Sequence, residues 1–329
     1  MADFGPETTG DAVVSHFPKE IQGRTFLING VSPGGIGAGI AISLARSSPS
    51  RLILLAKADD ASHLQTIKDE IKIRDATVAV TVMISNPSEL SSVRSAAQKI
   101  LGNPDIVHID GVINVQTEMP RPFTKTEDGH EYLLQTNYLS QFLLTTKVLP
   151  KILSAARPRV VNISSSANKI SGMRFHDLNF EETGSYEPWT AYGQTKTAAI
   201  LFTVALNSRF ASSQHPGFRS YAVHPGGVKT KLQEQLSEDA LKKAYEATKQ
   251  RFGELTADDF FRWKTLPAAV STPLRAVLDP LLPSREGMWL EDCELYEKSI
   301  HLAAHATDLG YAERLWNMSE ELVGEKPEV

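Results

Sequence analysis

The chain has a single cysteine, Cys293, in 329 residues. No intrachain disulfide can staple the fold, so packing has to hold it. That poverty suits a reducing compartment, and a cytoplasmic location is the expectation. No run approaches the ~20 apolar residues of a membrane span. The opening stretch MADFGPETTGDAVVSHFPKE lacks the apolar centre of a secretion signal and is expected to form a loose tail over residues 1–20. Long basic runs are missing and the net charge is −5, which disfavours nucleic acid as a partner. No G-x-S-x-G elbow is present, which disfavours a serine hydrolase. His301 and His305 have a spacing that can suit zinc on a helix, but no HExxH motif or third ligand accompanies them, so no metal is expected. Repeats, low-complexity segments and Pro/Gly-rich linkers are also missing, and one domain over residues 21–329 is the simplest organisation.

What is present is alternation. Short β-rich apolar runs at Thr25–Asn29, Leu52–Ala56, Val78–Ile84, Gly111–Asn114, Val160–Ser164, Ser220–His224 and Met288–Leu290 predict strands. Helical patterns lie between them, near residues 36–47, 60–73, 88–101, 127–154 and 190–211. The order strand–helix–strand predicts an α/β fold whose parallel sheet is covered on both faces. The charged stretch 231–264 interrupts this rhythm and reads as a helical flap. Its Leu232, Leu236, Tyr245, Phe252, Phe260, Phe261 and Trp263 either line a greasy pocket or belong to the core.

Glycines crowd the turn after the first predicted strand: Gly30, Ser32, Gly34, Gly35, Ile36 and Gly37 lie in NGVSPGGIG. Such a turn lets backbone N–H groups approach a pyrophosphate at a helix N-terminus. The second strand ends in Ala56-Lys57, without the acid that would bind a ribose 2′-hydroxyl in an NAD site. Lys57 there favours a 2′-phosphate and hence NADP(H) over NAD(H). A plain surface lysine is the alternative, and Asp59 or Asp60 can also reach back.

Tyr192 and Lys196 stand four residues apart, on one helical face, downstream of a strand ending in Ser164-Ser165-Ser166. A Tyr hydroxyl titrates near ~10, and a neighbouring ammonium lowers that value. Ser165 can hold a substrate oxygen beside the phenol, which suits protonation of a carbonyl as hydride arrives. Tyr245 and Lys249 share the spacing but follow no Ser-rich strand end, and read as a solvated face.

Together these motifs resemble the short-chain dehydrogenase/reductase family, in particular its retinol-dehydrogenase and WW-domain oxidoreductase branch with its fungal members, although no WW domain is visible. The resemblance runs from about residue 22 to 324. It is carried by GGIG (34–37), LSSVR (90–94), FTKTEDGHEYLLQTNYLSQFLLT (123–145), RVVNISSSAN (159–168), AYGQTK (191–196), HPGGVKT (224–230), WLEDCE (289–294) and AERLWNMSEELVG (312–324). It implies a Rossmann-like doubly wound sheet of about seven strands in the order 3-2-1-4-5-6-7. It implies Tyr192 as acid/base, Lys196 as the residue that lowers its pKa and holds the nicotinamide ribose, and Ser165 as the partner of the reacting oxygen, with Ser164 as the alternative register. Asn137 would keep a helix kink and a proton-relay water. Pro225, Gly226, Val228 and Thr230 would contact the nicotinamide side, Asn86 the adenine, and Asn114 with Val115 the path of the cofactor. The apolar face of 190–211 would pack against a twin in a homodimer or into the core.

The chain departs from the family pattern in three places. Its glycine turn is one residue longer, and Asn29 replaces a common Thr. Where the family reads Asn-Asn-Ala-Gly, this chain reads Asn114-Val115-Gln116-Thr117, so larger side chains stand where a cofactor passes close to the backbone. The expected function is hydride transfer between NADP(H) and a small apolar ketone, aldehyde or alcohol, with a secondary metabolite and a retinoid or steroid equally compatible. The altered motif motivates the alternative that the fold is kept but redox turnover is lost.

Overall fold

The computed structural model describes residues 4–58, 61–211, 214–228, 238–253, 262–283 and 288–328. Strands β1 (Thr25–Asn29), β2 (Arg51–Ala56), β3 (Ala79–Ile84), β4 (Gly111–Asn114), β5 (Arg159–Ile163) and β6 (Arg219–His224) fall within one residue of the predicted runs. A two-stranded sheet pairs β7 (Gly227–Val228) with β8 (Trp263–Lys264). β9 (Trp289–Glu291) and β10 (Glu294–Tyr296) complete an eight-stranded sheet in the order β10-β9-β6-β5-β4-β1-β2-β3. The order from β3 through β6 to β9 matches the expectation, and these strands are parallel. Beyond them β10 adds an unforeseen antiparallel edge.

The helices are α1 (Gly10–His16), α2 (Ile36–Leu44), α3 (Ala61–Arg74), α4 (Leu90–Gly102), α5 (Tyr132–Leu134), α6 (Ser140–Lys147), α7 (Leu149–Leu153), α8 (Pro188–Phe210), α9 (Glu238–Phe252), α10 (Leu266–Ala269), α11 (Ser271–Leu278) and α12 (Leu309–Val323). Alternate strand residues serve opposite faces of the sheet. Leu27, Ile53, Leu55, Val112 and Val160 join one apolar core with α4, α6, α8 and α12. Phe26, Ile28, Leu52, Leu54, Ile113 and Val161 join the other with α1, α2, α3 and α11. Burial on both sides explains why each strand reads as an unbroken apolar run.

The N-terminal stretch is not the loose tail that its polarity suggested. Thr9 caps α1, and Val13 and Val14 are completely buried against α11. A Cβ on Gly10 would meet Val270 Cγ2 at 2.4 Å, so only glycine allows the two helices to lie this close. Two buried valines sufficed, a signal too short to show as periodicity.

The predicted helix 127–154 is broken into pieces. Glu131 caps α5, a π-helical segment spans Gln135–Leu139, and Pro150 sits in the first turn of α7. The apolar face of α8 is covered within the same chain by α12. Trp316 lies 5.1 Å from Phe142 and 6.0 Å from Phe202, ring centre to ring centre. Arg209 and Glu313 clamp the two helices with paired 2.7 Å contacts.

Candidate active site

Gly193 determines how α8 meets β5. A Cβ there would lie 2.8 Å from Ala167 O, so glycine lets α8 press against the 3₁₀ turn Ser166–Lys169 that follows the strand. The two serines at the strand end are thereby separated in role. Ser164 is buried and donates its hydroxyl to Lys196 O at 2.8 Å, tying strand to helix. Ser165 caps the 3₁₀ turn, accepting from Ala167 N at 3.2 Å, and its hydroxyl stands near enough to the Tyr192 phenol to favour the phenolate. Lys196 Nζ lies 5.3 Å from the Tyr192 ring centre and donates to Thr117 Oγ1 at 2.9 Å and Ile163 O at 3.3 Å.

Burial pushes the Tyr192 phenol up, against the downward pull of Ser165. It pushes the Lys196 amine down, from 10.5 to about 7. Desolvation dominates both shifts, and the helical spacing alone gave no sign of it. Tyr192 belongs to a small apolar cluster with Met119, Leu133 and Phe180, and Trp189 stands edge-on to its ring at 5.9 Å.

Asn137 lies in the π-helical segment, and its amide bonds the chain itself. Oδ1 accepts from Glu118 N at 2.7 Å and Nδ2 donates to Glu118 O at 2.9 Å. Asn137 thus clamps the loop after β4. The side chains of Asn114 and Val115, two residues expected along the cofactor path, are turned into the core. Asn114 Nδ2 bonds Thr145 and Asn162 inside the core, and Val115 packs into the apolar cluster beneath the sheet. Asn86 spends its amide on Glu89 and Ser88 in its own loop.

The glycine turn opens α2. Gly30 (φ +97°) and Gly34 (φ +68°) adopt backbone conformations that favour glycine. Gly30 also has Gln116 N 2.4 Å from where a Cβ would stand, and Gly37 has Gly30 O at 2.3 Å, so chain crossings demand both. A Cβ on Gly35 would meet Ser32 Oγ at 2.6 Å. Gly35 is the N-cap of α2, with no side chain bonded to the helix's first amides, and Ile36 begins the helix. At the far side, Gly226 (φ +85°) follows Pro225, and a Cβ there would meet the Lys264 side chain. Val228 is buried where β7 pairs with β8. Thr230, Asp59, Asp60, Leu232, Leu236, Phe260 and Phe261 lie outside the described residues.

Lys57 forms an ion pair with Glu118, a residue that the sequence reading passed over. Thr117, noted only for its bulk, is the partner of Lys196. The available signal was a carboxylate and a hydroxyl directly beyond the apolar strand β4. His301 Nδ1 bonds Glu291 at 2.8 Å and His305 Nε2 meets Asn168 O at 3.0 Å, so the two histidines serve different partners. Among the described residues no group of three His, Cys, Asp or Glu could hold a metal, and no helix is long and apolar enough to cross a membrane.

This arrangement is that of a known enzyme class. The short chain dehydrogenase profile matches residues 24–177. Retinol dehydrogenase 12 of Mus musculus is 33% identical over 93% of this chain and 88% of its own length. The short-chain dehydrogenase/reductase prx1 of Penicillium roqueforti is 29% identical over 92% of this chain and 86% of its own. A solved structure of an uncharacterized Mycobacterium paratuberculosis protein superimposes with a TM-score of 0.66 at 27% identity, covering 95% of this chain and 99% of that one. The chain belongs to the short-chain dehydrogenase/reductase family of oxidoreductases, which bind a nicotinamide cofactor.

The residues present fit such a group in two respects. The first amides of α2 carry no side-chain cap, and a Cβ on Gly34 would meet nothing within 4 Å. The amine of Lys196 stands beside Tyr192.

Proposed function

We propose that the protein is an NADP(H)-dependent carbonyl reductase or alcohol dehydrogenase acting on a small apolar ketone, aldehyde or alcohol. The observation that carries this reading is the convergence of the Ser165 hydroxyl, the Tyr192 phenol and the Lys196 amine at the carboxyl edge of the sheet. A bound nicotinamide supplies or takes up the hydride. Ser165 donates a hydrogen bond to the carbonyl oxygen and fixes its position. Tyr192 gives that oxygen a proton during reduction and takes it back during oxidation. Lys196, held by Thr117, carries the positive charge that a phenolate needs nearby. Asn137 acts as a positioning residue, fixing the loop from which Thr117 reaches Lys196. The apolar cluster that includes Tyr192 supports a greasy substrate, and Lys57 at the end of β2 supports the phosphorylated cofactor.

The test is a fluorescence titration with NADPH and NADH, followed by turnover of a panel of apolar carbonyls. Tyr192→Phe is expected to lower kcat by roughly 10²–10⁴-fold, the range for loss of a positioned proton donor. Unchanged turnover would remove Tyr192 from the chemistry. One observation favours a second reading, a protein of this fold without redox turnover: Gln116 bonds Glu118 in the loop after β4, and Glu118 pairs with Lys57 at the end of β2. Folded protein that binds neither dinucleotide would establish that reading instead.

A further inference from the structure

Strand β1 lies between β4 and β2, with Asn29 opposite both Leu55 and Asn114. The chain after β4 stays close to it: Val115 N and Gln116 N both donate to Asn29 O, at 2.8 and 3.0 Å. On the other side Gly30 N and Val31 N donate to Leu55 O, two residues before Lys57. The Lys57–Glu118 pair therefore bridges β2 to the loop after β4, over the end of β1 where the glycine turn begins. In a doubly wound sheet this is the crevice in which a dinucleotide lies.

The carboxylate is set in place from its own backbone. Asn137 bonds both Glu118 N and Glu118 O, and Gln116 Nε2 reaches Glu118 Oε1 at 3.5 Å. Gln116 is itself pinned, its carbonyl accepting from Gln141 Nε2 at 2.5 Å. The pair is sheltered, with the Glu118 side chain 11% exposed and that of Lys57 29% exposed. A crevice whose lysine and uncapped helix N-terminus suit an anion thus already contains one, supplied by the chain.

We infer that Glu118 sets the affinity for the cofactor, acting as a tethered anion that latches Lys57 across the crevice and has to release it when a dinucleotide binds. This rests on the dinucleotide reading above. Every dinucleotide bears the opening of the latch and the repulsion between its pyrophosphate and Glu118. Only a 2′-phosphate recovers Lys57 as a partner. Glu118 weakens binding of both cofactors, and Lys57 favours the phosphorylated one.

The experiment is a fluorescence titration of NADPH and NADH against the full chain, using wild type, Glu118→Gln, Lys57→Gln and the double variant, with thermal melting of each to verify folding. Glu118→Ala replaces Glu118→Gln should the latter fail to fold. Glu118→Gln is expected to tighten both cofactors by about tenfold, equivalent to roughly 1.4 kcal/mol. Lys57→Gln is expected to lose the preference for NADPH. In the Lys57→Gln background the gain from Glu118→Gln is expected to shrink, because no latch is left to open. Unchanged or weaker binding by Glu118→Gln would overturn the inference while leaving the dinucleotide reading intact, and so would an equal gain in both backgrounds. Folded variants and wild type that all bind neither cofactor would overturn the reading and the inference together.

Discussion

Replacing Lys196 by Met should stabilise the protein at neutral pH, and the gain should disappear as the pH rises. Burial holds the amine at about 7 instead of 10.5 in the folded chain, so the unfolded chain binds the proton more tightly. The lowered pKa of a base gives stability that is fully present above 10.5, falls as the pH drops towards 7, and is flat below that. At roughly 1.4 kcal/mol per pKa unit, protonation linked to Lys196 opposes folding by on the order of 4 kcal/mol near pH 7. The substitution also removes the hydrogen bonds to Thr117 and Ile163, which costs roughly 1–2 kcal/mol. The net expectation is a gain of about 2–3 kcal/mol near pH 7. Urea unfolding of wild type and variant checks it at two pH values. The difference should move by about 2 kcal/mol in favour of wild type between pH 7 and pH 9, while groups shared by both proteins cancel. A difference that stays constant with pH would refute the argument and show that the folded protein holds the amine near its ordinary value. Activity should fall in the same variant, so stability and function would separate at one residue.

Two further substitutions test the frame around the site. Trp316→Ala removes the ring that packs on Phe142 and Phe202, and should lower stability by roughly 3–5 kcal/mol, read as a lower urea midpoint. Gly193→Ala places a Cβ against Ala167 O and should push α8 away from the 3₁₀ turn. Because the Ser165–Tyr192 contact spans that junction, kcat should drop by at least about tenfold, the equivalent of roughly 1.4 kcal/mol, even where the melting temperature changes little.

The parts of the fold that were legible share one physical cause. A strand buried on both faces needs an unbroken apolar run, so β1 to β6 could be read to within a residue. Elements held by few contacts escaped: α1 rests on two valines, and β10 is three residues of half-buried edge. In the site, residue types and spacing disclosed Tyr192, Lys196 and the serine run. They could not say which serine faces the phenol, because a slip of one residue along a strand reverses the side of the sheet. The structure separates them: Ser164 bonds the helix backbone, while Ser165 acts on the phenol. Partners far apart in sequence were the least legible. Lys57 with Glu118, and Lys196 with Thr117, depend on how β2, β4 and α8 come together. Burial was equally hidden, since residue type and spacing carry no sign of how deeply Tyr192 and Lys196 are desolvated.

The cover that α12 provides has a consequence for synthesis. Phe142, Phe202 and Phe210 belong to segments made well before Trp316, yet Trp316 packs against all three. At ~5–20 residues per second, the ribosome needs roughly 6–20 s to travel from Phe210 to Val323. During that interval the nascent chain carries an open aromatic face, and the Arg209 clamp has no Glu313 to grasp. The half of the core beneath α8 therefore closes after translation has passed α12. A chain halted before residue 309 would present that face to chaperones and to other unfinished chains.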